Sequence, residues 1–184
     1  VSGEIVGTLG VTEELHAPTK DNINLVYADG KINGKKIAVP DAGVATHAVV
    51  VAKSDKGISL QLVDLSTTGV TVEHQENIDE SRGHFSISFN DVETKLLGDK
   101  VSGWELYETL INQAAVLFSY EQIGGSQASL DMAINYAKER YAFGRPIGSY
   151  QAIKHKLADM YIALTLAKSN CYYAAWALST NAAD

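Results

Sequence analysis

Arg140, Phe143 and Gln151 stand three and eight residues apart in the run Arg140-Tyr141-Ala142-Phe143-Gly144-Arg145-Pro146-Ile147-Gly148-Ser149-Tyr150-Gln151. The guanidinium is a fixed cation whose fork suits a phosphate, the phenyl ring is a flat apolar surface, and the carboxamide pairs with a polar edge. A dinucleotide needs that combination of tools. Gly144 and Pro146 break the helix that precedes them, and Ser149 is placed to cap the helix that follows. The same spacing also suits an ordinary helical hairpin, with Arg140 solvated and Phe143 in a core. Spacing alone leaves both readings open.

Other chemistries find little support. No G-x-G-x-x-G follows a strand and no Walker A motif is present, so nicotinamide and nucleoside triphosphate sites of those kinds are not indicated. Gly124-Gly125-Ser126 lies inside a helical pattern and reads as close helix packing rather than a phosphate loop. His16, His47, His74, His84 and His155 lack metal-type spacing, and no metal is expected. A G-x-S-x-G elbow is also missing. No complete catalytic constellation is visible. Cys171, the single cysteine, excludes an internal disulfide and reads as a packing residue within a helix.

The elements that must position the turn are of two kinds. Residues 1–100 read as an antiparallel β domain, barrel- or sandwich-like, with strands around 4–9, 22–28, 47–53, 58–63, 70–74 and 84–89. Ile58, Leu60 and Leu62 alternate with Ser59, Gln61 and Val63, and Phe85, Ile87 and Phe89 alternate with polar residues; a period of two marks half-buried strands. Asp29-Gly30 is a hairpin signal before a strand over 31–39. Near Gly98–Gly103 the period changes, so residues 101–184 read as an incomplete antiparallel helical bundle. Leu106, Leu110, Ala114 and Leu117 repeat at helical spacing, and Leu130, Ala133 and Ala137 continue beyond Gly124-Gly125. Ile153, Leu157, Met160, Leu164, Ala167, Cys171, Ala174 and Leu178 form a longer seam. Three helical segments cannot cover such a seam, which predicts association through the helical half. The fold class is therefore α+β with two domains.

Composition narrows the partners. A hydrophobic share of 46% and a charged share of 20% fit a globular chain, and a net charge of −7 argues against nucleic acid or an anionic membrane surface. No signal peptide or bilayer-length apolar run is seen, which makes the cytoplasm the default expectation.

The run from Tyr136 to Met160 resembles the acyl-CoA dehydrogenase family, whose C-terminal domain carries Y-x-x-x-R-x-x-F-G-x-P-I-x-x-x-Q followed by L-A-D-M. Three weaker matches lie in the same order upstream. Val11-Thr12-Glu13 is similar to the start of the family's flavin loop. Asn33-Gly34-Lys35-Lys36 with Ala42-Gly43-Val44-Ala45 resembles its N-G-x-K…G-G-x-A-D strand. Phe89-Asn90-Asp91-Val92 with Leu96-Leu97-Gly98 resembles the exit from its β domain.

The resemblance implies FAD as cofactor and an acyl-CoA thioester as substrate, oxidised at its α,β bond with the flavin taking the hydride and a carboxylate taking the proton. It implies that Arg140 pairs with the pyrophosphate, Phe143 packs on the cofactor, and Tyr150 and Gln151 bond it from the next helix, all toward FAD held mainly by a neighbouring subunit. Val11 and Thr12 would line the isoalloxazine, with Val39 beside it. It further implies a dimer or tetramer, homomeric or heteromeric, through the helical domain. Departures accompany the match. Pro18 replaces a serine of the flavin loop, Ala38-Val39-Pro40 replaces an aromatic, Ile and Thr/Ser, and Ala45-Thr46 replaces Ala-Asp. Ala115 stands where a substrate-side arginine is common, and Ala114 stands at an alternative position for the catalytic glutamate. No base is identified. The family places an all-helical domain before residue 1 and more helices after residue 184, so a fragment or shortened member is expected. A catalytically inactive partner subunit, and a flavin monooxygenase on the same fold, are the alternatives.

Overall fold

The alternation in the first hundred residues builds a β sandwich, seen in a computed structural model that describes residues 3–79, 81–180 and 182. Eight strands make one sheet: β1 (Gly7–Gly10), β2 (Val26–Ala28), β3 (Lys31–Pro40), β4 (His47–Ser54), β5 (Gly57–Asp64), β6 (Val70–Gln75), β7 (His84–Glu93) and β8 (Lys95–Leu97). Their order is β6-β7-β3-β2-β4-β5-β8, with β1 added on β4. The order ends at β6 and β8, so the sheet is open and sandwich-like rather than a closed barrel. Short β2 carries the chain from one layer to the other, because Val26 pairs Asn33 of β3 on one side and Lys53 of β4 on the other. Two ladders, β1–β4 and β2–β4, are parallel, a departure from the wholly antiparallel sheet expected.

Between the layers lies the main core. Ile32, Val39, Ile87, Phe89 and Val92 from β3 and β7 pack against Ala48, Val50, Ala52 and Val63 from β4 and β5. The Asp29-Gly30 hairpin forms as its sequence predicts, with φ of 51° and 83° at the two turn residues. Strand β5 corrects one expectation. Its polar-looking face is fully enclosed: Ser59, Gln61 and Val63 are buried, while Leu60 and Leu62 remain partly exposed. The polar atoms are satisfied, since the Gln61 side-chain Nε2 donates to the Ser59 hydroxyl at 2.9 Å and the Thr94 hydroxyl donates to the Gln61 Oε1 at 2.9 Å. Both faces of β5 are covered because the start of the first helix brings Trp104 and Tyr107 onto Ile58, Leu60 and Val51. Gly103 permits that approach; a Cβ there would stand 2.5 Å from the Ser59 Cα.

The helices are α1 (Gly103–Glu139) and α2 (Gln151–Thr180). Asp99 accepts from the amides of Val101 and Ser102 just ahead of α1, at 2.8 and 2.7 Å. Three helical segments are expected, and among the described residues there are two α-helices, because α1 runs unbroken through Gly124-Gly125. A Cβ at either glycine would meet nothing within 4 Å, so the close packing expected there does not occur among the described residues. The chain divides into two compact units, Val1–Glu108 and Thr109–Asp184, the division falling within α1.

In the second unit the helices run antiparallel: Tyr120 meets Tyr172 edge-on, and Lys168 donates to Gln127. The predicted seam of α2 does face α1, with Leu164 buried and Ile153, Leu157, Cys171 and Ala174 half-buried. Little else is covered. Leu130, Ala137 and Leu164 are the buried hydrophobic residues of this unit among those described, and Leu117, Met132, Leu166 and Trp176 are open to solvent. A groove of about 1030 Å³ runs between the helices past Ser126, Leu130, Met160, Leu164 and Cys171. Among the described residues no helix is long and apolar enough to cross a membrane.

Candidate functional site

Two sets of residues carry the candidate chemistry, one in each unit. In the helical unit, α1 ends at Glu139 and the chain turns through a minimal hairpin of β9 (Tyr141–Ala142) and β10 (Arg145–Pro146). Phe143 and Gly144 form its two-residue loop with φ of 53° and 79°. Two successive left-handed residues are the mark of a type I′ turn, whose first position ordinarily takes Asn, Asp or Gly. A bulky side chain in that conformation costs about 1–2 kcal/mol. The ring so placed is 98% exposed, which dismisses the alternative of a core phenylalanine. Strain that presents a bare aromatic ring is characteristic of a binding feature.

The hairpin is held from below. Ile147 N–H donates to the Arg140 carbonyl at 2.8 Å, and the Tyr150 hydroxyl donates to the Ala142 carbonyl at 2.8 Å. The Arg145 guanidinium lies 4.0 Å over the Tyr150 ring, a cation–π contact. Tyr150 thus spends both ring face and hydroxyl on the hairpin itself. Ser149 does not cap α2 as its type suggested. Its hydroxyl donates backward to the Pro146 carbonyl at 2.7 Å, because a 3-10 turn over Ile147–Ser149 precedes the helix. Arg140 and Gln151 are exposed, and among the described residues the Arg140 guanidinium has no ion-pair or hydrogen-bond partner. An open cation, a bare ring and an open carboxamide stand around one turn.

In the β unit, the candidate residues are Val11, Thr12 and Val39. Val11 is buried beside Ile23 and Trp104, and Thr12 is half-buried. The Val11 carbonyl accepts from the Lys36 ammonium at 3.0 Å, and the Thr12 carbonyl accepts from the Ile37 amide at 2.8 Å. Among the described residues neither the Thr12 amide nor its hydroxyl is engaged, which leaves both as donors. Val39 is only 1% exposed and packs in the main core, so its side chain is not available at the surface. Ala38, with φ of 51°, sits at the bulge that turns Val39 inward, and its amide donates to Gln75.

Sequence reasoning passed over Glu13 and Lys36 as a pair. Their side chains are 7% and 0% exposed and meet at 2.6 Å. Glu13 also accepts from the amides of Asn24 and Leu25, at 2.7 and 3.0 Å. Burial pushes the Lys36 ammonium below the usual lysine range, and the bond and charge of Glu13 partly offset that. A signal existed, since period two along β3 places Lys36 on the same face as core residue Ile32. On α1, Ala114 and Ala115 supply neither a carboxylate nor a guanidinium, while Glu108 accepts from the Trp104 indole at 2.6 Å. No metal-holding group of three His, Cys, Asp or Glu residues occurs among the described residues.

A β sandwich followed by a long antiparallel helix pair is also the fold of solved acyl-CoA dehydrogenases. The match to butyryl-CoA dehydrogenase from Megasphaera elsdenii has a TM-score of 0.88 at 25% identity, over 96% of this chain and 50% of that one. Residues 101–184 match the family model described as acyl-CoA dehydrogenase, C-terminal domain. A probable acyl-CoA dehydrogenase, YngJ of Bacillus subtilis, is 32% identical over 95% of this chain and 50% of its own length. The mitochondrial short-chain specific acyl-CoA dehydrogenase of Homo sapiens is 34% identical over 74% of this chain and 36% of its own length. The chain belongs to the acyl-CoA dehydrogenase family, and it spans about half the length of YngJ.

Proposed function

We propose that this protein takes part in FAD-dependent α,β-dehydrogenation of an acyl-CoA thioester, its residues serving to bind and orient the cofactor. The observation that carries the reading is the turn at Phe143, where a strained, bare ring stands beside an unpaired Arg140 and an open Gln151. The residues suit the group: Arg140 is free to pair with the pyrophosphate, Phe143 to pack on the cofactor, and Gln151 to bond a polar edge. Tyr150 acts on the cofactor through the hairpin it holds. In the β unit the free Thr12 donors face the flavin ring, and Val11 shapes the segment that carries them. Bound FAD would supply the hydride acceptor. The exposed apolar surface of the helices supports assembly through that unit.

A second reading has support of its own, that of a partner subunit which completes a cofactor site without oxidising substrate. Pro40 offers no N–H, and Ala114 and Ala115 offer no base or cation. The two readings part on turnover. Ferrocenium reduction by the chain with acyl-CoA and FAD supports an enzyme, whereas turnover only after a second subunit is added supports a partner. Cofactor binding is tested by Arg140→Ala. Removal of one charge-assisted bond should cost about 1.5–3 kcal/mol of FAD affinity. Gel filtration of the FAD-loaded assembly should show loss of flavin absorbance from the variant, and parent-like retention would refute the pyrophosphate role.

A further inference from the structure

We infer that Lys36, acting through its enclosed ion pair with Glu13, is the positioning residue that presents Thr12 to the flavin. This rests on the reading of Thr12 as a flavin-facing donor.

The pair grips the chain on both sides of Thr12. One ammonium donates to the Val11 carbonyl at 3.0 Å and to the Glu13 carboxylate at 2.6 Å. The next residue of β3, Ile37, fixes the Thr12 carbonyl at 2.8 Å. Three consecutive residues, 11 to 13, are therefore fastened to two consecutive residues of one strand. Glu13 ties the same segment a second time, through the amides of Asn24 and Leu25 ahead of β2. The tether uses the Val11 and Thr12 carbonyls and the Glu13 carboxylate and leaves the Thr12 amide and hydroxyl free. A donor fixed at its carbonyl and on both flanks cannot swing, and preorganised donors bind more strongly than mobile ones.

Stability is a weak reason for such a pair. Replacing a buried ion pair with apolar groups of similar shape is often neutral or stabilising, so the pair's value lies in the geometry it specifies. Lys36 is far from either end of β3 and is enclosed completely, which places the anchor on the most rigid support the unit has.

The test compares Thr12→Val with the double variant Lys36→Met/Glu13→Gln in the FAD-loaded assembly. The double variant is used because Lys36→Met alone strands a buried carboxylate and threatens folding. Three measurements are made: the thermal melt, the FAD dissociation constant, and the absorption bands of the bound flavin, which respond to hydrogen bonds at the ring. The expected result is a melt close to the parent's, a dissociation constant raised about three- to tenfold, and flavin bands shifted in the same direction as in Thr12→Val. Parent-like binding and bands in the double variant, alongside altered ones in Thr12→Val, overturn the positioning role and leave the Thr12 reading standing. Parent-like behaviour of Thr12→Val itself overturns the Thr12 reading, and the inference with it.

Discussion

The two units of this chain bury their apolar residues to opposite extents. In the β unit, Ile32, Val39, Val50, Val63, Ile87 and Val92 have essentially no exposed surface, and even Lys36, Ser59 and Gln61 are enclosed with partners. The helical unit has a similar wealth of large apolar residues but leaves Leu117, Phe118, Met132, Leu166 and Trp176 open. A sandwich covers its inner faces with its own second layer, whereas two helices can cover only the strip along which they touch. The β unit covers its own core; the helical unit leaves much of its apolar surface uncovered.

That contrast can be broken most sharply at Lys36. Its removal alone, as Lys36→Met, leaves Glu13 buried and uncompensated and should cost about 3–5 kcal/mol, read as a fall in denaturant midpoint. Next come paired truncations. Ile87→Ala opens a cavity in the closed core and should cost about 2–5 kcal/mol. Leu166→Ala, at a position 62% exposed, should change stability by less than about 0.5 kcal/mol in dilute solution. If the helices associate, the Leu166→Ala deficit should grow with protein concentration, because binding to the folded state adds stability by mass action. A melt independent of concentration for both parent and variant would remove the evidence for association.

Smaller effects sharpen the comparison at the turn and at the unit edge. Phe143→Gly relieves about 1–2 kcal/mol of left-handed strain and adds about 0.5–1 kcal/mol of chain freedom. The variant should therefore be slightly more stable than the parent while retaining less FAD, a trade visible by pairing a melt with flavin absorbance. The smallest effect concerns acid. Asp64 is held below the ordinary aspartate value of 3.8 by the hydroxyl and amide of Ser66, and Asp99 by the amides of Val101 and Ser102. A depressed carboxyl contributes stability above its unfolded value and loses it as pH falls through the folded one. Melts should thus decline below about pH 4, and Asp99→Ala should flatten part of that decline.

Much of the β unit was legible because period two and turn chemistry are local. Phe85, Ile87 and Phe89 point inward as their alternation requires, and Asp29-Gly30 forms the turn its residue types demand. What escaped was nonlocal. Alternation in β5 distinguishes two faces but cannot say that the Ser59–Gln61–Val63 face turns into the main core while Trp104 and Tyr107 cover the Ile58–Leu60 face, so the burial of Ser59 and Gln61 has no local signal. The parallel pairing of β1 with β4 follows from a contact across some forty residues, for which no short pattern exists. In the helices, the seam of α2 was legible from its three-and-four spacing, while continuity through Gly124-Gly125 was not, since glycine lowers helix propensity without forbidding the helix. At the site, the sequence singled out Arg140, Phe143 and Gln151 by their spacing, and the structure leaves all three exposed. The sequence did not reveal that Tyr150 bonds the hairpin, that Val39 belongs to the core, or that Lys36 grips Val11 and Glu13.

The ladder between β3 and β7 sets the order in which the chain can acquire its structure. Lys31 pairs Glu93 and Pro40 pairs His84, so this ladder must bring together strands separated in the chain by β4, β5 and β6. Loop closures of that span are slow, and proteins dominated by them fold in milliseconds to seconds, whereas isolated helices form in about a microsecond. The helices need no such closure and form as local elements, independently of whether the sandwich has closed. Their uncovered apolar faces are then the surfaces most open to self-association while the slower sandwich is still closing.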